Sequence, residues 1–181
     1  MILTGNEIVK ATRGGDIGID PFSVDCVNPN SYDLHLGRTL IRYTGEILDP
    51  KINNTFEVLS IGDEGFVLRT EEFYLGYSTE IVGSDIYVPV LHAKSGIARL
   101  GLFVHITADL IDLGSHGNLT FQLHATVPLR VYAGMRIGQV SFWKTEGVRT
   151  LYSGKYQGSH GPRESLSYQD FAKCEKEEKN K

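Results

Sequence analysis

Leu119-Thr120-Phe121-Gln122-Leu123-His124 alternates strictly between apolar and polar side chains. In an extended chain successive side chains point to opposite faces. Leu119, Phe121 and Leu123 therefore share one face, and Thr120, Gln122 and His124 the other. That is the pattern of a strand buried on one side only. Short runs of similar character, bounded by turn residues, recur over 31–36, 38–43, 65–70, 72–78, 86–93, 103–107, 129–132 and 137–143. Twenty glycines against six prolines supply turns, and nine Tyr and eight Phe suit a pleated surface. Helical signals are few. Thr4 and Glu7 form a capping box ahead of Ile8 and Val9, predicting a helix over 4–10 that Gly14 and Gly15 stop. One or two further turns are expected over 95–100, with Ser95 as the cap. Many short strands and few helices predict a mainly β protein, a sandwich or a barrel.

The 181 residues contain no internal repeat and no linker-like break. A single domain over 1–172 is expected, long enough to bury a core without staples. From Lys173 the chain reads KCEKEEKNK. It has no apolar periodicity, so a disordered charged tail is expected over 173–181. The net charge of −4 argues against a general nucleic-acid binder but leaves room for a local cationic pocket. Cys26 and Cys174 are too few for a disulfide framework or a Cys-rich zinc site. The six histidines show no H-E-x-x-H and no tight ligand spacing. There is no P-loop, no G-x-G-x-x-G after a strand, no G-x-S-x-G elbow, and no H-x-E with P-C-x-x-C. No apolar run approaches the roughly 18 residues of a membrane span. The start, MILTGNEIVK, lacks a signal-peptide layout, so a cytoplasmic protein without a membrane partner is expected.

Four stretches carry possible chemistry. In Ala93-Lys94-Ser95-Gly96-Ile97-Ala98-Arg99, a Lys, a small hydroxyl residue and a Gly meet at a strand-to-helix junction, with an Arg four residues after Ser95. Free backbone amides at such a junction suit phosphate oxygens, and Lys94 and Arg99 add charge. A surface turn with solvated charges explains the same residues. Asp112, between Ile111 and Leu113 and shortly before Gly114 and Gly117, is a site acid or a plain turn residue. Gln122, on the polar face of its strand, lines a cleft or faces solvent or a subunit interface. The Gly-rich run 153–162 contains Lys155, Tyr156 and Gln157, and reads as a ligand-ordered lid or as a flexible tail.

Taken together, these stretches resemble the dCTP deaminase family, which shares fold and ancestry with trimeric dUTPases. The likeness runs from the opening MIL through Ile19-Asp20-Pro21-Phe22 and Asn28-Pro29-Asn30-Ser31-Tyr32-Asp33-Leu34-His35-Leu36-Gly37. It continues through Ser95 to Leu102, Val104 to Ala108 and Ile111-Asp112. Pro128-Leu129, Gly134 to Gln139, Lys155 to Gly158 and Gly161-Pro162 complete it. Their order and spacing carry the match. The resemblance implies a dUTPase-like distorted jelly-roll β-barrel and a homotrimer with active sites between neighbouring subunits. It also implies a ligand of the dCTP, dUTP or dTTP type. Mg2+ would be bound through the triphosphate, and no zinc is implied. By the same resemblance, Ser95, Arg99 and the backbone carbonyl of Ala108 hold the attacking water and the base. Lys94 and Gly96 fall in the same substrate-binding motif. Asp112 sits at the deoxyribose, or orients water at the α-phosphate as in the dUTPases. Lys155, Tyr156 and Gln157 form a C-terminal lid over sugar and phosphates.

Two positions depart from the family pattern. Gln122 stands where the deaminases carry the Glu that activates water for attack on C4 of cytosine. A carboxamide cannot accept that proton or pass it to ammonia. Ala93-Lys94-Ser95-Gly96 replaces Gly-Arg-Ser-Ser; Lys keeps the charge without the bidentate fork, and the Ser-Gly pair is closer to the dUTPase motif. Three readings follow: hydrolytic deamination of dCTP to dUTP and ammonia; a diphosphatase acting on dUTP or a modified pyrimidine triphosphate; and a non-catalytic nucleotide-binding trimer.

Overall fold

The computed structural model describes residues 1–179. Helix α1 (Gly5–Arg13) leads into eleven strands. They are β1 (Gly18–Asp20), β2 (Tyr32–His35), β3 (Thr39–Tyr43), β4 (Phe56–Ser60), β5 (Phe66–Leu68), β6 (Tyr74–Gly83), β7 (Tyr87–Ala93), β8 (Leu102–Phe103), β9 (His116–Ala125), β10 (Leu129–Val131) and β11 (Arg136–Lys144). Helix α2 (Ser95–Ala98) follows β7, and helix α3 (Tyr168–Lys179) lies at the C-terminal end.

All strand pairings are antiparallel. The larger sheet runs β4-β3-β6-β9-β8, with β1 also on β6, and the second runs β2-β11-β7. Strands β5 and β10 form a separate ribbon. The alternating stretch falls inside β9, where Leu119, Phe121, Leu123 and Ala125 are buried and the residues between them are half-buried. Burying one face of β9 against the second sheet builds the core. Phe121 and Leu123 join Leu91, Val140 and Phe142 in one continuous apolar cluster. The approach between the sheets is close at Gly138 of β11, where an added Cβ would come within 3.2 Å of the Phe121 ring. This antiparallel arrangement of two main sheets and a ribbon is the mainly β fold expected from the sequence, of the jelly-roll type that the resemblance implies.

The β6–β9 pairing slips between Tyr77 and Ile81. The unpaired backbone there is satisfied by side chains, as buried polar groups require. Asn118 Nδ2 donates to the carbonyls of Ser78 (2.9 Å) and Glu80 (3.2 Å), and Ser78 Oγ accepts from the Leu119 amide at 2.8 Å. The buried Glu80 accepts from the amide and the ring Nδ1 of His35, at 3.0 and 2.5 Å.

Several local expectations are corrected. Thr4 precedes α1, but its side chain makes no capping hydrogen bond. Lys94, not Ser95, occupies the N-cap position of α2. The strand expected over 103–107 stops after Phe103, because the chain turns away to bring the amides of Ile106 and Thr107 to Gln122. Strands β1 and β4 were not expected. The charged segment from Lys173, expected to be disordered, is helical through Lys179, in keeping with the helix propensity of Ala, Glu and Lys; the last two positions of that segment lie outside the described residues. Among the described residues, no helix is long and apolar enough to cross a membrane.

Candidate active site

The polar face of β9 forms the floor of a cleft of about 760 Å³. Asn118, Thr120 and Gln122 lie along that floor. The segment after β8 contributes Ala108 and Asp112, and the run after β11 contributes Tyr152, Lys155, Tyr156 and Arg163. The loop between β3 and β4 adds Leu48, Pro50 and Asn54.

The three floor residues differ in what they have left to offer. Asn118 is fully engaged: its Nδ2 holds the β6 slip, and its Oδ1 accepts from the Gly161 amide at 2.9 Å. Gln122 is half engaged. Its Oε1 accepts from the amide of Ile106 at 2.9 Å and from that of Thr107 at 3.4 Å. Two backbone donors converging on one atom fix that atom as the oxygen, so the NH2 end is directed at the cleft. The Thr120 hydroxyl has no hydrogen-bond partner among the described residues. Asp112, which also lines the cleft, is exposed.

The C-terminal segment is strapped across the start of β9. Gln157 Oε1 accepts from the His116 amide at 3.0 Å, and its Nε2 donates to the Gly114 carbonyl at 2.7 Å. The Gly158 amide donates to the His116 carbonyl (2.9 Å), and the Asn118 amide to the Ser159 carbonyl (2.8 Å). Gly117 permits this crossing: a Cβ there would stand 2.8 Å from the Ser159 nitrogen. Further along, the Leu166 amide donates to the Tyr156 hydroxyl at 2.9 Å and the Ser165 amide to the Tyr43 hydroxyl at 2.8 Å. Burial raises the Tyr43 pKa above its ordinary value, which keeps that phenol protonated. Lys155 pairs with Asp170 of α3, and its ammonium lies 5.7 Å from the Tyr156 ring centroid.

Of the residues singled out in the sequence, Gln122, Ala108, Asp112, Lys155 and Tyr156 meet in this one cleft. Gln157 holds its wall without lining it. Lys94, Ser95, Gly96 and Arg99 are not brought to the cleft within the same chain. Ser95, Gly96 and Arg99 are exposed on and beside α2. Lys94 is occupied elsewhere: its Nζ lies 2.5 Å from Oδ2 of the buried Asp33. Asn28 Nδ2 donates to the other oxygen at 2.7 Å, and Arg136 stands 3.7 Å away. Sequence reasoning gave no role to Asp33, Asn118 or Thr120. The polar face of β9 could have flagged Thr120; nothing local signals that Asp33 would be buried opposite Lys94. Among the described residues, no group of three or more His, Cys, Asp or Glu gathers as a metal-ligand set.

The fold and this cleft define a class: a jelly-roll protein with a polar strand face, an acid and a C-terminal strap around a pocket sized for a small ligand. Residues 2–145 match the family model described as dCTP deaminase-like. A Clostridium botulinum protein named dCTP deaminase, dUMP-forming, is 43% identical over 174 residues, covering 96% of this chain and 100% of that one. Proteins of the same name from Cytophaga hutchinsonii and Leptospira biflexa are 45% and 44% identical, again over 96% of this chain and over 100% and 99% of theirs. Among solved structures, the 2'-deoxycytidine 5'-triphosphate deaminase of Agrobacterium tumefaciens superposes with a TM-score of 0.61 at 25% identity, over 78% of this chain and 47% of that chain. The chain belongs to the dCTP deaminase family of hydrolases.

Proposed function

We propose that this chain hydrolyses a pyrimidine deoxynucleoside triphosphate to dUMP in the β9 cleft. The observation that carries the reading is the convergence of Asp112, Gln122, Lys155 and Tyr156 on that one cleft. Lys155 and Arg163 supply positive charge for phosphates, and Tyr156 gives an aromatic wall beside them. Asp112 orients and deprotonates a water for attack on the α-phosphorus. The bond to the bridging oxygen breaks and pyrophosphate leaves. Asp112 would face a Mg2+ ion bound through the triphosphate, and that ion would supply neutralisation of phosphate charge.

The name of the relatives favours a second reading, in which dCTP is first deaminated in the same cleft. Water adds to C4 and ammonia departs, each move needing a proton carrier. Gln122 holds the position of that carrier and has no proton to exchange near neutral pH. Losing a general acid/base typically slows a reaction about 10²- to 10⁴-fold, so the phosphate step is the one this chain performs well.

Ser95 and Arg99, exposed and away from the cleft, complete it from a neighbouring chain in a homotrimer. A site shared between chains would account for one chain not gathering the whole set. A cytoplasmic setting fits a free-nucleotide substrate.

The test is to incubate the protein with dUTP and, separately, dCTP, each with Mg2+, and to separate the products by chromatography. Conversion of dUTP to dUMP and pyrophosphate, abolished by Asp112→Asn, is the expected result. Deamination of dCTP by the unmodified chain at a rate matching its dUTP turnover would install the second reading. No turnover of either nucleotide would leave a binding protein and sink both.

A further inference from the structure

We infer that Gln122 selects the base, admitting a pyrimidine with an oxygen at C4 and disfavouring one with an amino group there. The inference rests on the reading above, that a pyrimidine base occupies the cleft at β9. It adds the chemical class of base that the cleft takes.

Gln122 has unspent hydrogen-bonding capacity. A side-chain amide has a carbonyl that only accepts and an NH2 that only donates. In a freely rotating Gln the two ends exchange by a flip of the terminal torsion, and the side chain reads donors and acceptors alike. Gln122 is not free to flip. Turning it over would set its NH2 against the amides of Ile106 and Thr107, which now converge on Oε1 at 2.9 and 3.4 Å. Three groups would then each present hydrogens to one another, with two backbone donors left unpaired. The oxygen is committed to the protein, and Nε2 has no acceptor among the described residues.

Its neighbours on the floor do not dilute this polarity. The Asn118 amide is consumed at both ends by the β6 slip and by Gly161. Thr120 has a hydroxyl that rotates and so prefers neither sign. The fixed polar signal of the β9 floor is therefore the donor pair on Gln122 Nε2. A C4 oxygen accepts from it. An amino group at C4 meets it donor to donor, and a buried donor left unpaired is costly.

The same geometry predicts the effect of a carboxylate. In Gln122→Glu, one oxygen takes over the two backbone amides, and the other faces the cleft as a fixed acceptor. The preference then inverts toward the amino base, with the backbone unchanged.

The test is binding rather than turnover. Affinities of the α,β-imido analogues of dUTP and dCTP, identical except at C4 and N3, are measured by calorimetry with Mg2+ for the unmodified protein and for Gln122→Glu. A thermal melt of each protein shows that the variant is folded. The expected result is a preference of about tenfold or more for the dUTP analogue in the unmodified protein, lost or reversed in Gln122→Glu. Gln122→Ala is the second variant, and should bind both analogues with similar affinity. Equal binding of the two analogues by the unmodified protein would overturn the selection while leaving a pyrimidine cleft in place. Binding of neither would overturn the cleft assignment itself and this inference with it.

Discussion

Asp33 and Lys94 show how one side chain can be claimed by two roles. Lys94 is attractive as a phosphate ligand because it stands beside a small-residue turn, yet its ammonium neutralises a carboxylate buried inside the fold. A buried charge is tolerated only when paired and hydrogen-bonded. Asp33 meets that condition with Lys94, Asn28 and the more distant Arg136. Lys94 therefore acts first as a brace that fixes the start of α2, and with it the directions of Ser95 and Arg99. We expect Asp33→Ala to cost about 1–3 kcal/mol of stability, read as a lower midpoint of urea unfolding. The local sequence could not reveal this. A lysine in a turn looks the same whether it meets solvent or a carboxylate 61 positions away. Gln122 was legible as a site residue because its face follows from two-residue periodicity. The orientation of its amide was not, since that depends on backbone amides 15 and 16 residues distant.

At the scale of elements, the C-terminal strap is held on β9 by main-chain and side-chain bonds that require Gly117. A methyl group there would press on the Ser159 backbone, which cannot swing aside as a side-chain tip would. Gly117→Ala is expected to lift the strap while the two sheets stay packed. Limited proteolysis should then cut within 152–165 faster than in the unmodified protein, and nucleotide affinity should fall. Unchanged cleavage would show that the strap does not depend on this contact. Strand β9 could be read from sequence because one face is buried and the other is not. Strand β4 could not, for the converse reason: Phe56 and Val58 remain exposed while Glu57 and Leu59 are half-buried, so no apolar contrast marks it. Strand β1, three residues long, is too short to carry a period.

At the scale of the whole molecule, the split between the cleft and α2 has a direct test. If each cleft is completed by α2 of a neighbour, Arg99→Ala and Asp112→Asn damage opposite sides of the same composite site. Each variant alone should be inactive on dUTP. Unfolded, mixed and refolded together, they should regain part of the activity, because some sites then pair an intact cleft with an intact α2. No recovery, with trimers confirmed by sedimentation, would place all the needed groups in one chain. A mainly β architecture was readable from strand count and turn frequency, whereas a site shared between chains is implied only by the family resemblance, because nothing in a linear pattern says which copy a residue serves. The clamp made by the Ile106 and Thr107 amides has a consequence of another kind. It grips one side-chain oxygen and is indifferent to whether the other terminal atom is nitrogen or oxygen. Codons for glutamine and glutamate differ only at their initial base. A lineage with this scaffold can thus exchange one appetite for another through a single point change, with no intermediate form that must first learn to fold.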